Sequence, residues 1–191
     1  MRQFLLFAAF LVLLINPAVA YDGPRQSTKV PRFDAAVDKA LAYLHGAVEK
    51  EEQHAGHQIL AAYAMLKCSV PKSDPFVAKA IAAAVGRSAG GQYQPMSPYD
   101  HIYGSGVDAM LLADLDAKDL YLPNLQAIAN YVQLAQRADG SWSDGPQQPG
   151  DVSMSQYGVL ALWACQRGGA NISPAALDRA ADFLMKRGTF F

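Results

Sequence analysis

Four segments of this chain repeat one pattern of apolar and polar positions. In each segment the first, fourth, fifth and eighth residues are apolar, which is the i, i+3, i+4, i+7 spacing of one helix face. The segments are 37–44, 77–84, 125–132 and 177–184. Pro75, Pro123 and Pro174 lie near three of the predicted helix starts, where a missing backbone N–H costs nothing. The pattern therefore predicts four amphipathic helices, and Asp74 is placed to cap the second.

Three more apolar segments, 58–66, 107–115 and 156–165, lie between the amphipathic ones. Each is apolar nearly all round, which predicts a helix buried on both sides. Their starts are spaced by roughly 49 residues, a period within the range of repeat architectures. The alternation predicts helical hairpins, each with one outer amphipathic helix and one inner apolar helix.

A turn motif repeats with the same period. Residues 136–142 read Gln-x-x-x-Gly-x-Trp, with Gln136, Gly140 and Trp142 at the defined positions, and Gly91 and Tyr93 occupy the matching positions one period earlier. This motif resembles the turn of the squalene-cyclase, terpenoid-cyclase and protein-prenyltransferase repeats. The resemblance implies an α/α toroid in which these residues are structural, the Gln amide lying on the Trp ring and binding backbone at the start of the following helix.

The predicted fold class is all-α, an α/α toroid built of repeated helical hairpins over residues 31–191. The chain would form an incomplete ring of about three and a half repeats, with a solvated first turn at 49–53. The resemblance implies a full ring of about six hairpins. We therefore expect either a fragment of a longer protein or a half-ring that a protein partner completes.

The first 20 residues predict a secretory signal peptide. Arg2 is followed by an apolar run over 4–15 and by Ala18-Val19-Ala20, a small-residue cleavage site. A retained membrane anchor is the alternative, but the run is shorter than the ~20 apolar residues of a span. We expect export after cleavage at Ala20, no stable membrane span afterwards, and an extended leader at 21–30.

Composition excludes some functions. The formal net charge of −1 comes without a cluster of Lys and Arg, which argues against a nucleic-acid partner.

Cys68 and Cys165 occupy similar places in separate repeats, so we expect two buried thiols.

The reactive motifs of the resembled family cannot be matched to residues of this chain. Residues 114–119 come nearest to the Asp-x-Asp-Asp of the cyclases, but they predict a solvated helix terminus. His54 and His57 are the only pair at a metal-like spacing. We predict no metal site and no cofactor.

Candidate site residues fall before or within the second and third inner helices. Asp151 is the best carboxylate for a cavity role, although Ser153 and Gln156 have capping-box spacing there. Asp100 and His101 could act as an orienter and a base. Asp100 and His101 lie in the predicted loop before the second inner helix. With Tyr103, Asp108 and Gln156 they could line the mouth of the ring and bind a ligand. The alternative is that the Tyr and His side chains fill the gap between hairpins.

The sequence therefore favours an exported repeat protein with a binding or structural role. Its ligand would be apolar or isoprenoid-like, or a protein that completes the ring. An isoprenoid cyclase or prenyltransferase whose catalytic residues lie in a missing C-terminal half is the enzymatic alternative. A secreted carbohydrate-active enzyme is a third reading, by fold analogy alone.

Overall fold

The computed structural model describes residues 29–48, 55–115, 119–145 and 148–188. Over these ranges it contains seven α-helices and no strand, so the predicted all-α class is confirmed. The helices are α1 (Pro31–Val48), α2 (Ala55–Lys67), α3 (Pro75–Arg87), α4 (His101–Leu115), α5 (Leu122–Ala135), α6 (Val152–Arg167) and α7 (Pro174–Gly188), with a short 3₁₀ turn at Ala89–Gly91. The predicted signal peptide, the turn at 49–53 and His54 lie outside the described residues.

The helices form a central row with others packed on it. The central helices α2, α4 and α6 contact one another in chain order, and α1, α3, α5 and α7 pack against them. Helix α4, in the middle of the row, has no exposed position, as its all-round apolar sequence predicts. Helix α2 is less enclosed, since Leu60 is 42% exposed. Across the described ranges, every helix is too short or too polar to cross a bilayer.

The amphipathic segments form helices, and their apolar stripes are well buried in α3 and α5 but only partly in α1 and α7, where Ala40 and Ala181 are exposed. In α5 all four stripe residues, Leu125, Ile128, Ala129 and Val132, are buried. The predicted cap of α3 is also present, because Asp74 accepts hydrogen bonds from the N–H groups of Phe76 and Val77 at 3.0 and 3.2 Å.

Trp142 anchors the turn between α5 and α6. Its side chain is fully buried, and its indole Nε1 donates to the Val132 carbonyl at 2.8 Å. A Cβ on Gly158 would lie 2.5 Å from the Trp142 ring, so α6 can approach the ring only because residue 158 has no side chain. Gly140 has φ +89°, a conformation that favours glycine.

Amide side chains of α5 and its turn join this hairpin to α7 and the segment before it. Gln136 Nε2 donates to the carbonyls of Gly140 and Ala176, at 3.1 and 2.8 Å. Gln133 accepts from the Ser173 N–H. Gln126 both donates to the Asn171 carbonyl and accepts from the Asn171 N–H. The bond to Ala176, in the first turn of α7, is of the kind that the resemblance implies for the Gln of the motif.

The last turns of the three central helices meet in a charge network, which corrects one prediction. Asp114 was predicted to be solvated, but its side chain is 5% exposed and pairs with both Lys67 and Arg167. A carboxylate at this depth requires such partners. Because α2, α4 and α6 contribute their C-terminal turns to one place, they run parallel.

The two cysteines differ in their surroundings. Both are free thiols; Cys165 is buried, as predicted, whereas Cys68 is only partly buried. Burial raises the pKa of the Cys165 thiol to about 12. The thiol of Cys165 therefore stays protonated and behaves as an apolar core group.

Candidate functional site

A cleft opens at the N-terminal ends of the central helices, opposite the charge network. Its volume is about 620 Å³, within the range of small-molecule sites. Residues from α2, α4 and α6 form its walls, and the segment before α4 lies along its edge. Its apolar and aromatic lining includes Ile59, Leu60, Met96, Tyr99, Tyr103 and Tyr157.

The floor of the cleft is a hydrogen-bonded ion pair between α3 and α4. Arg87 Nε donates to Asp108 Oδ2 at 2.8 Å, and Arg87 Nη2 donates to Asp108 Oδ1 at 2.6 Å. Tyr93 Oη donates to the same Oδ2 at 2.8 Å. The paired side chains are 13% and 1% exposed respectively. This two-pronged geometry is the strongest arrangement of an Arg with a carboxylate.

The environment keeps Tyr93 and Arg87 in fixed protonation states. Burial, followed by the charge of Asp108, raises the pKa of the Tyr93 phenol far above its ordinary value. Desolvation is the largest influence on Arg87 and would lower its pKa, but the hydrogen bonds and charge of Asp108 outweigh it and raise that pKa. Tyr93 therefore remains a donor and Arg87 remains a cation across the physiological pH range.

One wall of the cleft is an aromatic pair between α4 and α6. The rings of Tyr103 and Tyr157 meet edge to face, with their centroids 4.8 Å apart. The Tyr103 hydroxyl lies 2.6 Å from Ser153 Oγ, which fixes its position at the start of α6. The predicted ligand-binding Tyr103 thus lies on the cleft wall, beside a tyrosine that the sequence did not single out.

His101 begins α4 instead of lying in a loop, which corrects the predicted start of this helix. Its Nε2 is 2.9 Å from the Ser143 carbonyl, and its Nδ1 is 2.8 Å from the Tyr131 hydroxyl. A carbonyl only accepts, so Nε2 carries the hydrogen and Tyr131 donates to Nδ1 in the neutral ring. Both nitrogens are committed to structural bonds, and Asp100 does not orient the ring. The predicted pairing of Asp100 as an orienter with His101 as a base does not form.

Asp151 caps α6. Its Oδ1 accepts from the N–H groups of Ser153 and Met154, at 2.6 and 3.2 Å, and from Ser153 Oγ at 2.8 Å. Desolvation, the largest influence, would raise the pKa of Asp151, but these hydrogen bonds together lower it. The N-cap of α6 is therefore Asp151, two residues before the predicted Ser153. As an ionised cap, Asp151 is poorly suited to donating a proton.

The remaining candidates separate into those at the cleft and those away from it. Asp100 is exposed and lies at the cleft edge, and Asp108 lies in its floor. Gln156 is exposed and is not part of the lining, which its neighbour Tyr157 joins instead. Gly91, with φ +77°, ends the 3₁₀ turn, two residues before the buried Tyr93. The sequence pattern aligns Tyr93 with Trp142, but the Tyr93 hydroxyl binds Asp108 and so helps to build the floor.

Arg87 was missed by reasoning from the sequence. The signal was Asp108, an acidic residue inside an otherwise apolar helical segment, because a buried carboxylate requires a cation or several donors. Arg87 ends α3, 21 residues earlier, and nothing local marks it as that partner. Within the described part of the chain, no three His, Cys, Asp or Glu residues are grouped to hold a metal ion.

Comparison with known proteins gives no relative. The chain matches no protein-family profile, no curated protein and no solved structure.

Proposed function

We propose that this chain is a binding module that holds an amphipathic ligand, with a largely apolar isoprenoid-like body, in the cleft at the N-terminal ends of α2, α4 and α6. The observation that carries the proposal is the cleft itself. It has room for a small molecule, its walls are aromatic and aliphatic, and its few charged groups are the ion pair of the floor and Asp100 at the edge. Sites that bind small apolar molecules share this layout.

Binding is favoured over catalysis because two of the three candidate catalytic groups are already engaged. Both nitrogens of His101 are hydrogen-bonded and Asp151 caps a helix, whereas Asp100 lies exposed at the edge of the cleft. A general acid or base needs a proton that it can exchange with a substrate. Neither His101 nor Asp151 meets that requirement in its observed surroundings.

We propose further that the hairpins follow the α/α toroid plan. Three features support this proposal: the parallel central row, the alternation of central and flanking helices, and the link from Gln136 to the start of α7. On this plan a protein partner that completes the ring is a second kind of ligand.

Export is proposed from the first 20 residues. Replacing Leu11 by Arg places a charge in the apolar core that a signal peptide needs. We expect secretion of the L11R variant to be lost, measured as the fraction of protein outside the cytoplasm in the expressing cell. Unchanged secretion of the variant would remove the signal-peptide proposal.

The binding proposal is tested by filling the cleft. Gly104 lines it, and a Cβ there would contact only the Tyr93 hydroxyl, at 3.7 Å. The longer side chain of Gly104→Leu would therefore extend into the cleft. We expect the affinity for geraniol, an isoprenoid alcohol, to fall at least about tenfold in calorimetric titration.

Gly86→Leu is the matched control. Gly86 is also helical, but it is exposed and a Cβ there meets nothing within 4 Å. Both substitutions gain helix propensity of up to ~1 kcal/mol, so neither should unfold the protein. Equal geraniol affinity in the two variants would contradict binding in the cleft. Tight binding of cellohexaose instead would favour the carbohydrate class.

A further inference from the structure

We propose that the cleft selects an uncharged head group with an accepting oxygen, a hydroxyl or carbonyl, over a phosphate or an ammonium. This inference rests on the proposed function, since it specifies the polar end of the ligand. It follows from how the charges of the cleft are distributed among Arg87, Asp108 and Asp100.

The positive charge of Arg87 is already balanced by the carboxylate of Asp108. Its Nε and Nη2 bind both carboxylate oxygens of Asp108, so the guanidinium and carboxylate form a closed, neutral pair. A phosphate placed against Arg87 would also lie close to Asp108. In a partly desolvated cleft, repulsion from that carboxylate offsets much of the attraction to the guanidinium.

One donor of Arg87 remains weakly bonded and defines the place for a ligand atom. Arg87 Nη1 donates to the thioether sulfur of Met96 at 3.3 Å, and a thioether is a weak acceptor. Met96 is 64% exposed and lines the cleft. A hydroxyl or carbonyl oxygen can displace this sulfur and form a stronger bond. An ammonium group cannot, because it has no acceptor.

The wider charge distribution also disfavours an anion. The cleft lining contains one guanidinium and two carboxylates, Asp100 and Asp108, which leaves a net negative charge when His57 is neutral. Helix N-termini attract anions, but two of the three that border the cleft already have a carboxylate nearby. Asp151 caps α6, and Asp100 directly precedes α4. An added phosphate would therefore meet more negative than positive charge.

The test uses the unaltered protein and four ligands with the same hydrocarbon body. Geraniol, geranyl phosphate, geranylamine and 2,6-dimethyl-2,6-octadiene, which lacks the hydroxyl, are titrated at pH 8, where an ordinary imidazole is neutral. We expect geraniol to bind at least about tenfold more tightly than geranyl phosphate and the hydrocarbon, and more tightly than geranylamine, which has no acceptor for Arg87 Nη1. Geranyl phosphate or geranylamine binding as tightly as geraniol would overturn the inference.

The same series separates this inference from the proposal beneath it. If none of the four compounds binds, or if Gly104→Leu binds them all as the unaltered protein does, the binding function itself fails. If they bind in the cleft without preference for geraniol, the binding function stands and the head-group inference is wrong.

Met96→Leu tests the assignment of Arg87 Nη1. Leucine keeps an apolar side chain of similar size but removes the competing sulfur. We expect the preference for geraniol over the hydrocarbon to increase in this variant, because Nη1 is then free for the ligand. A preference that stays the same or falls would overturn the assignment.

Discussion

Replacing Asp108 by alanine is expected to lower the free energy of unfolding by about 3–5 kcal/mol, the usual cost of removing one member of a buried ion pair. The substitution leaves the guanidinium of Arg87 with no counter-charge and the hydroxyl of Tyr93 with no acceptor. Urea denaturation followed by circular dichroism measures the change.

Two further variants show whether the cause is the unpaired charge. Asp178→Ala removes an exposed carboxylate from α7 and should change stability by no more than about 0.5 kcal/mol. Replacing both partners, as Arg87→Met with Asp108→Leu, should recover much of the loss, because no charge is then buried alone. A denaturation midpoint for Asp108→Ala equal to that of Asp178→Ala would contradict the buried pair.

Replacing Trp142 by alanine is expected to destabilise the fold by about 3–5 kcal/mol, the range for deleting a buried aromatic side chain. Three contacts are lost together: the indole bond to the Val132 carbonyl, the packing on Gly158 and the enclosure by α5 and α6. Trp142→Phe keeps most of the ring and loses the hydrogen bond, so it should cost about 1 kcal/mol from that bond, plus a packing loss.

Trp163 provides a control of the same residue type. It lies on α6 but is only partly buried, with the guanidinium of Arg167 5.1 Å from its ring centroid. Trp163→Ala should therefore cost less than Trp142→Ala in the same urea titration. The opposite order would show that the turn of residues 136–142 is not the anchor of this hairpin.

The features that were predicted correctly are those that depend on the local sequence pattern. Periodicity located the four amphipathic helices, and Asp74 was correctly identified as a cap because capping involves residues two and three positions away. Helix α4 begins earlier than predicted, since Gly104 and Gly106 weaken its local helical signal. Tertiary contact compensates: a Cβ at residue 106 would lie 3.0 Å from the Tyr157 ring, so α4 and α6 pack closely there.

The site was predictable only in part, because its charges meet across long sequence separations. Tyr103 and Asp108 were identified from their position near the second inner helix. Arg87 was not, since only the folded chain brings it to Asp108. Asp114 was misjudged for the same reason, as Lys67 and Arg167 belong to the neighbouring central helices. Formal charge along a sequence does not reveal which charges are neutralised.

The amide contacts between α5 and the 171–176 segment bear on which sequence changes that segment tolerates. Gln126, Gln133 and Gln136 bind main-chain atoms of Asn171, Ser173 and Ala176. Because every non-proline residue carries the same N–H and C=O groups, these contacts do not depend on which side chains the segment bears. Only proline at 171 or 173 would remove a donor. The 171–176 segment can therefore change in sequence while this junction persists.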